Sequence, residues 1–470
     1  MEKRKLSTKE KALSLNFRTD VYGSFAETGA GQEVANNFFR AGAASGSVAK
    51  TMSAYDMTIS DAIYGKCKKY VSRERLTSMM DYEYHQLTTM LENKASETNF
   101  FALATTVETI NFHRTNKAHG WIGFKFQLNP LSPPNKCIIH VHLNDLDPLL
   151  QQQAIGVLGV NLMYACINFD GAENMIPSLI DDILSTRVDI DMFSLRGPDF
   201  LDIDNRLNSL LLVKYGLNPM AMFDETGHVM QPSESLYKKD ILVLRGRFKP
   251  PTKLDIDMLD HGLEHFVSTE GVDKNNVLKC CELTIDNLSN DGELNPKDFL
   301  DRADLLNSLG FKVMISNCQQ HYKLENYLSK YVSGKLMTIV GVHNLTKLFD
   351  EQYYKHLSGG IVYALGHLFP KHVTMLVYPS LDEEGQFIKA KDAKIPAHLC
   401  HLFDHFLRTG KIVDIDSFNK ERLSINSDYI MEMIKSGETD WEKFVPDSIK
   451  NDIKKKSLFT DKNHEEAALH

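Results

Sequence analysis

Between residues 238 and 379, short apolar runs of strand character alternate with amphipathic helical runs, and this alternation constrains the fold more than any other feature of the chain. KKDILVLRG is followed by FKPPTKLDIDMLDHGLEHFV, then by VLKCCELTID, DFLDRADLLNSLGF, KVMISN, HYKLENYLSKY, LMTIVG, a helical stretch through Leu368, and HVTMLVYP. Strands that alternate with helices favour a parallel sheet, because each parallel connection must cross over the sheet. The expectation for 236–380 is a Rossmann-like, mostly parallel α/β domain.

The flanks have a different texture. Upstream, 32–40 and 61–93 carry apolar residues three and four apart, the spacing of helices. NFFALATTVE, GWIGFKFQLNP and CIIHVHLND follow as β-rich runs separated by Gly, Pro and Asn clusters, which predicts antiparallel strands over 99–143. Helical character resumes over 151–166 and again in MIPSLIDDIL and NRLNSLLLVKYGL, so 1–235 reads as an α+β domain with glycine-rich loops. Beyond Pro379 come a turn at 382–385 and helices near 399–408, 428–435 and 448–455, a helical C-terminal extension over 381–470. The fold class is α/β overall.

With 470 residues the chain is too long for one hydrophobic core, and it shows no internal repeat. Its 53 Lys and Arg against 62 Asp and Glu leave a net charge of -9, which argues against a surface built to coat nucleic acid. No apolar run approaches the roughly 20 residues that cross a bilayer. The start lacks the apolar segment of a secretory signal, and the seven cysteines show no C-x-x-C spacing. These features predict a cytoplasmic protein with reduced thiols.

Several segments could carry chemistry. RGRFKPPTKLDID places Arg245, Arg247, Lys249 and Thr252 on a strand-to-helix turn, where unpaired helix N–H groups and flanking cations would favour phosphate. GSFAETGAGQEVA and RAGAASGSVAKTMSAYDM are glycine-rich; Gly42, Ser45, Gly46, Lys50 and Thr51 of the second could cradle an anion, although the spacing departs from G-x-x-x-x-G-K-[ST]. On CIIHVHLND, His140 and His142 share a face and could share a metal, with no third ligand set by spacing. HRTNKAHGWIGFKFQ gathers Arg114, His119 and Trp121 near a hairpin, a set suited to clamping a flat base or sugar. Each has a plain structural counterpart: a solvated basic turn, close helix packing, partly buried histidines, or a core tryptophan.

Three resemblances add to this. RGRFKPPT is similar to the GRF-x-P-P-H-x-G-H motif of nicotinamide and nicotinate mononucleotide adenylyltransferases, matching at Gly246, Arg247, Phe248, Pro250 and Pro251, with Thr252 and Asp255 where that motif has histidines. ELTIDNLSNDGEL followed by ADLLNSLGFKVMISN resembles the first two motifs of haloacid-dehalogenase-like phosphatases. That resemblance implies a catalytic Asp286, Ser316 and Lys347, with Asp286 also holding Mg²⁺; Leu288 stands where the second acid belongs. Along most of the chain, AETGAGQEVANNFFRAGAASGSVAKTMSAYDM, SDAIYG, YVSRERL, HGWIGFKFQ, GVNLMYA and RGRFKPPT look similar to a bacterial family catalogued as nicotinate-nucleotide adenylyltransferase-like, some of whose members carry a TonB-dependent receptor label. The receptor label conflicts with the lack of an export signal and of amphipathic barrel strands.

The expectation is a protein that binds a nucleotide or phosphorylated metabolite between its two main regions. If it is catalytic, nucleotidyl or phosphoryl transfer with Mg²⁺ comes first, and a haloacid-dehalogenase-like phosphohydrolase is the alternative. The competing expectation is a self-associating, homo-oligomeric scaffold or ligand sensor without chemistry.

Overall fold

The computed structural model describes residues 4–290 and 293–460. The chain divides into two compact units, Met1–Asn218 and Pro219–His470. No helix among the described residues is long and apolar enough to cross a membrane.

In the first unit the strands are β1 (Val21–Thr28), β2 (Val48–Met52), β3 (Asn99–Glu108), β4 (His119–Phe126), β5 (Asn135–Leu143) and β6 (Val188–Arg196). They form one sheet in the order β2-β1-β3-β4-β5-β6, with β1 parallel to both β2 and β3 and the remaining pairs antiparallel. The antiparallel expectation for 99–143 is met by β3, β4 and β5. The helices are α1 (Thr8–Asn16), α2 (Glu33–Ala41), α3 (Met57–Tyr64), α4 (Arg73–Met90), α5 (Pro148–Asn168), α6 (Ala172–Ser178) and α7 (Asn205–Lys214).

Period-two alternation gives this sheet two apolar faces. Phe101, Leu103, Ile122, Phe124, Ile139 and Val141 pack with residues of α1, α2, α5, α6 and α7. Ala26, Ala104, Trp121, Ile138 and Met192 turn the other way and meet Leu76, Met79 and Met80 of α4. Helix α5 starts cleanly because Asp147 caps the N–H groups of Leu149 and Leu150 and Pro148 occupies the first turn. Its Gly159 lies so close to α2 that an added Cβ would sit 2.3 Å from Val34 Cγ2. Gly159→Val should therefore lower stability by about 1–3 kcal/mol through overpacking, read from denaturant unfolding of the full chain. An unchanged midpoint would mean that α2 and α5 do not meet there.

The second unit contributes β7 (Met220–Phe223), β8 (Val229–Met230), β9 (Asp240–Arg245), β10 (Val277–Thr284), β11 (Ser289–Asn290), β12 (Glu293–Leu294), β13 (Lys312–Ser316), β14 (Leu336–Gly341), β15 (Val373–Tyr378), β16 (Ser380–Leu381), β17 (Phe387–Ile388) and β18 (Ile412–Asp414). Its helices are α8 (Pro232–Ser235), α9 (Lys253–Glu270), α10 (Pro296–Ser308), α11 (His321–Leu328), α12 (Val342–Leu348), α13 (Gly360–Leu368), α14 (Cys400–Arg408), α15 (Ser427–Ser436) and α16 (Asp447–Lys456). The main sheet runs β18-β15-β14-β9-β10-β13-β7-β8; β11 pairs with β12 and β16 with β17 in two small ribbons.

All pairs from β13 through β18 are parallel, and β7 and β8 add an antiparallel edge. In chain order the six parallel strands read 3-2-1-4-5-6, the doubly wound arrangement of a Rossmann sheet. The segment expected as a helical extension supplies the edge strand β18, and its helices α15 and α16 pack Ile430, Met433, Ile449 and Ile453 around Leu305 of α10. Helix α9 lies close over the sheet centre, where an added Cβ at Gly262 would come 2.5 Å from Ile339 Cδ1.

Candidate functional site

In a doubly wound sheet the order reverses between the first and fourth parallel strands, and the loops leaving their C-terminal ends part to open a crevice. Here those strands are β9 and β14. The crevice lies over Arg245 and Gly341 and has two adjoining lobes that share Arg245, His321 and Asn344. The smaller lobe, about 310 Å³, sets Leu254, Met258, Ile339, Tyr378, Pro379 and Leu381 beside the polar Asp255, His343 and Ser380. The larger, about 480 Å³, is polar, with Arg247, Lys347, Gln319, Gln320, Asn287 and Tyr353.

Of the residues expected to bind phosphate, Arg247 faces this crevice as a cation with room to act, and Lys347, expected as a catalytic lysine, faces it too. Lys347 is exposed on α12 and has no ion-pair partner among the described residues. Arg247 pairs with Asp428 at 2.9 Å, but both side chains are more than half exposed, and such a pair contributes only about 0–1 kcal/mol. Its guanidinium can exchange that partner for a ligand.

Arg245 corrects the sequence reading. It stands opposite Glu282 in the β9–β10 ladder and grips that wholly buried carboxylate through Nε at 2.5 Å and Nη2 at 3.1 Å. Its remaining donors go to the carbonyls of Gln319 and Cys318. Arg245 is a clamp that fixes the loop after β13, with its charge already neutralised. Lys249 is likewise committed, to Asp298 at 2.9 Å.

Thr252 and Asp255 satisfy each other. The Asp255 carboxylate accepts from the Thr252 N–H and hydroxyl at 2.7 Å each, while the Thr252 hydroxyl accepts from the Asp255 N–H, a reciprocal cap that closes the N-terminus of α9. The phosphate expected at that helix end would meet the partly buried Asp255 carboxylate, whose pKa desolvation raises. The positions where the adenylyltransferase motif carries histidines are thus spent on helix capping.

Ser316 departs from the haloacid-dehalogenase expectation. Ser316 ends β13 opposite Thr284 of β10, two residues before Asp286, but it is buried, donates to Glu282 and accepts from the Cys318 N–H. Asp286 sits exposed on the turn after β10. Among the described residues, one set of three or more His, Cys, Asp or Glu side chains is close enough to share an ion, and Asp286 is not in it.

No family model matches the chain, and no curated protein does. Among solved structures it is similar to a competence/damage-inducible protein from Agrobacterium tumefaciens, at 15% identity over 36% of this chain and 100% of that one, TM-score 0.27. It is also similar to a CinA superfamily protein from Enterobacter cloacae (10% identity, 36% and 96%, TM-score 0.28) and to Plasmodium falciparum nicotinic acid mononucleotide adenylyltransferase (12% identity, 47% and 97%, TM-score 0.29). Similarities this shallow carry no functional argument.

Two wall residues of the crevice escaped the sequence reading. His321 opens α11, and burial together with Arg245 holds its pKa well below the ordinary range, so the ring is neutral. Its Nδ1 and the neighbouring Gln320 Oε1 are buried without a hydrogen-bond partner, and no side chain caps α11. Orphaned polar atoms in a cleft wall are what a bound ligand or water satisfies. Glu282 was also missed, although an acid set between apolar neighbours in CCEL is a visible sign of a buried ion pair.

In the first unit the glycine-rich segment is no anion cradle. Gly42 ends α2 at φ 93°, and Ser45 and Gly46 form a short turn that folds around Asn16, whose amide donates to the carbonyls of Phe38 and Gly42. Lys50 and Thr51 lie within β2, and Lys50 pairs with Glu83 at 2.5 Å. The base clamp does not form either: Arg114 is exposed in the loop between β3 and β4, and Trp121 is buried beneath α4.

His119 instead joins His140 and His142. Its Nδ1 lies 3.0 Å from His140 Nε2; His140 Nδ1 lies 2.6 Å from Asp191 Oδ1, and His142 Nε2 lies 3.0 Å from Asp191 Oδ2. Asp191 comes from β6, a strand the sequence reading passed over; the alternation in VDIDMF was its only signal.

Proposed function

We propose that the second unit binds a nucleotide or a phosphorylated metabolite of similar size in the crevice between β9 and β14. The observation that carries this reading is a two-lobed crevice at the sheet's reversal point, a smaller lobe with Leu254, Met258 and Ile339 in its wall beside a larger one holding the uncommitted Lys347 and the weakly held Arg247. The ring of the ligand fits the first lobe. Its phosphate fits between Lys347, Arg247 and the uncapped first turn of α11.

Calorimetric titration of the full chain with nucleotides, dinucleotide precursors and sugar phosphates tests this. Lys347→Ala should weaken the responding ligand about tenfold, the worth of one hydrogen bond to a charged group. Affinity should also fall as salt rises, since both cations are exposed. No response from any ligand, or a response indifferent to both Lys347→Ala and Arg247→Ala, overturns the proposal.

The Thr252–Asp255 cap favours a second reading, in which the ligand is held without turnover, because that helix end and its dipole are not free to stabilise a transferring phosphate. Product formation from a bound nucleotide that is abolished by Lys347→Ala would exclude it.

A further inference from the structure

We infer that His140, His142 and Asp191 of the first unit form a site for one divalent transition-metal ion of the zinc class, with His119 positioning His140 from behind. This goes beyond the crevice of the second unit and does not depend on it.

The convergence is made by an irregularity in the sheet. The β5–β6 ladder runs His140↔Met192 and then Val141↔Ile190, so Asp191 is an extra residue on β6. Ile190 and Phe193 both belong to the core under α5, whereas Met192 joins the cluster under α4 and Asp191 meets the histidines. Two consecutive residues therefore turn to the same face. A bulge of this kind interrupts the ladder and re-aims one side chain. Here it delivers a carboxylate to the two imidazoles that the alternation of β5 had already aligned.

The donor set is chemically selective. Two imidazoles and one carboxylate suit zinc and its first-row neighbours; Mg²⁺ and Ca²⁺ prefer oxygen throughout. Candidate ligand atoms of the three side chains all lie within 4.8 Å of one another. Bonds of about 2.0–2.2 Å place ligand atoms roughly 3.3 Å apart, so Asp191 needs only to withdraw slightly from His140 to admit an ion. Three protein ligands leave the fourth position to water. His140 and Asp191 are 3% and 2% exposed and His142 is 15% exposed, so the approach is from the His142 side.

The surroundings match what metal-bound imidazoles require. Ligation through His140 Nδ1 leaves its Nε2–H to donate to His119 Nδ1 at 3.0 Å, which fixes the ring and its tautomer. The Trp121 ring, 4.6 Å from that of His140, walls the site on one side. Glu108 and Asp189 offset Lys69 and Lys117 around the rim, so an entering cation meets chiefly the charge of Asp191.

The test uses the full chain stripped with chelator and titrated with Zn²⁺, then with Co²⁺ for its absorption spectrum. Wild type should take up about one equivalent that is absent from Asp191→Asn and from His142→Gln. His119→Ala should keep the stoichiometry, weaken binding about 10–100-fold and shift the Co²⁺ bands, a change that lost packing alone would not produce. Uptake of no equivalent by wild type, or uptake unaltered in both ligand variants, overturns the inference. Should those variants fail to fold, wild-type Co²⁺ decides: visible bands of imidazole-bound, low-coordinate cobalt sustain it, and an aqueous spectrum ends it.

Discussion

Arg245→Ala should destabilise the second unit by roughly 3–5 kcal/mol, the cost of leaving a buried charge without its partner. Glu282 is wholly buried and receives two guanidinium N–H groups from Arg245, along with the Ser316 hydroxyl. Once the arginine is gone the carboxylate has neither water nor a counter-charge, and the loop carrying Gln319 and Cys318 loses its two tethers. Denaturant unfolding of the full chain reads the loss. Glu282→Gln in the Arg245→Ala background removes the stranded charge while keeping an acceptor for Ser316, so the double variant should recover at least about 1 kcal/mol. A stability change below about 0.5 kcal/mol in the single variant would instead mark Arg245 as a free cation awaiting phosphate.

Glu325→Gln should stabilise the protein at pH 8 by up to roughly 3 kcal/mol and do little near pH 4.5. Glu325 is wholly buried on α11, where it accepts from the Thr338 hydroxyl, and burial pushes its pKa up to about 7. The folded state therefore holds a proton that the unfolded chain releases near pH 4.5. This contribution to stability is fully present below that value and is lost as the pH rises through about 7. A glutamine keeps the acceptor for Thr338 and cannot ionise, so the variant's stability should vary less between pH 4.5 and 7.5. Glu27 of the first unit, also raised to about 7 by burial, should leave a residual slope. An equal effect of the substitution at pH 4.5 and pH 8 would show that Glu325 does not titrate in this window.

Much of the second unit was legible because its signals are local. The runs 241–244, 280–283 and 336–340, apolar but for Glu282 and Thr338, are buried on both faces and read as strands. Legibility failed where glycine masked a strand. GSFAETG lies in and just beyond β1, where its close approach to β3 leaves no room for a Cβ at Gly23, and the same small residues suggest a loop when seen without that neighbour. β18 was hidden by its three-residue length.

By itself the sequence determined the alternation that dictates a parallel α/β sheet and the shared face of His140 and His142, because each follows from the spacing of residues a few positions apart. Tertiary structure alone decided which charges are available. Arg245 and Arg247 look equivalent in RGRF, but the β9–β10 register puts Glu282 opposite the first and leaves the second at the surface. Asp191 reaches the histidines only through an extra residue in a ladder between strands some fifty positions apart. Charge pairing in a folded interior is set by such long-range neighbours, and no local pattern specifies them.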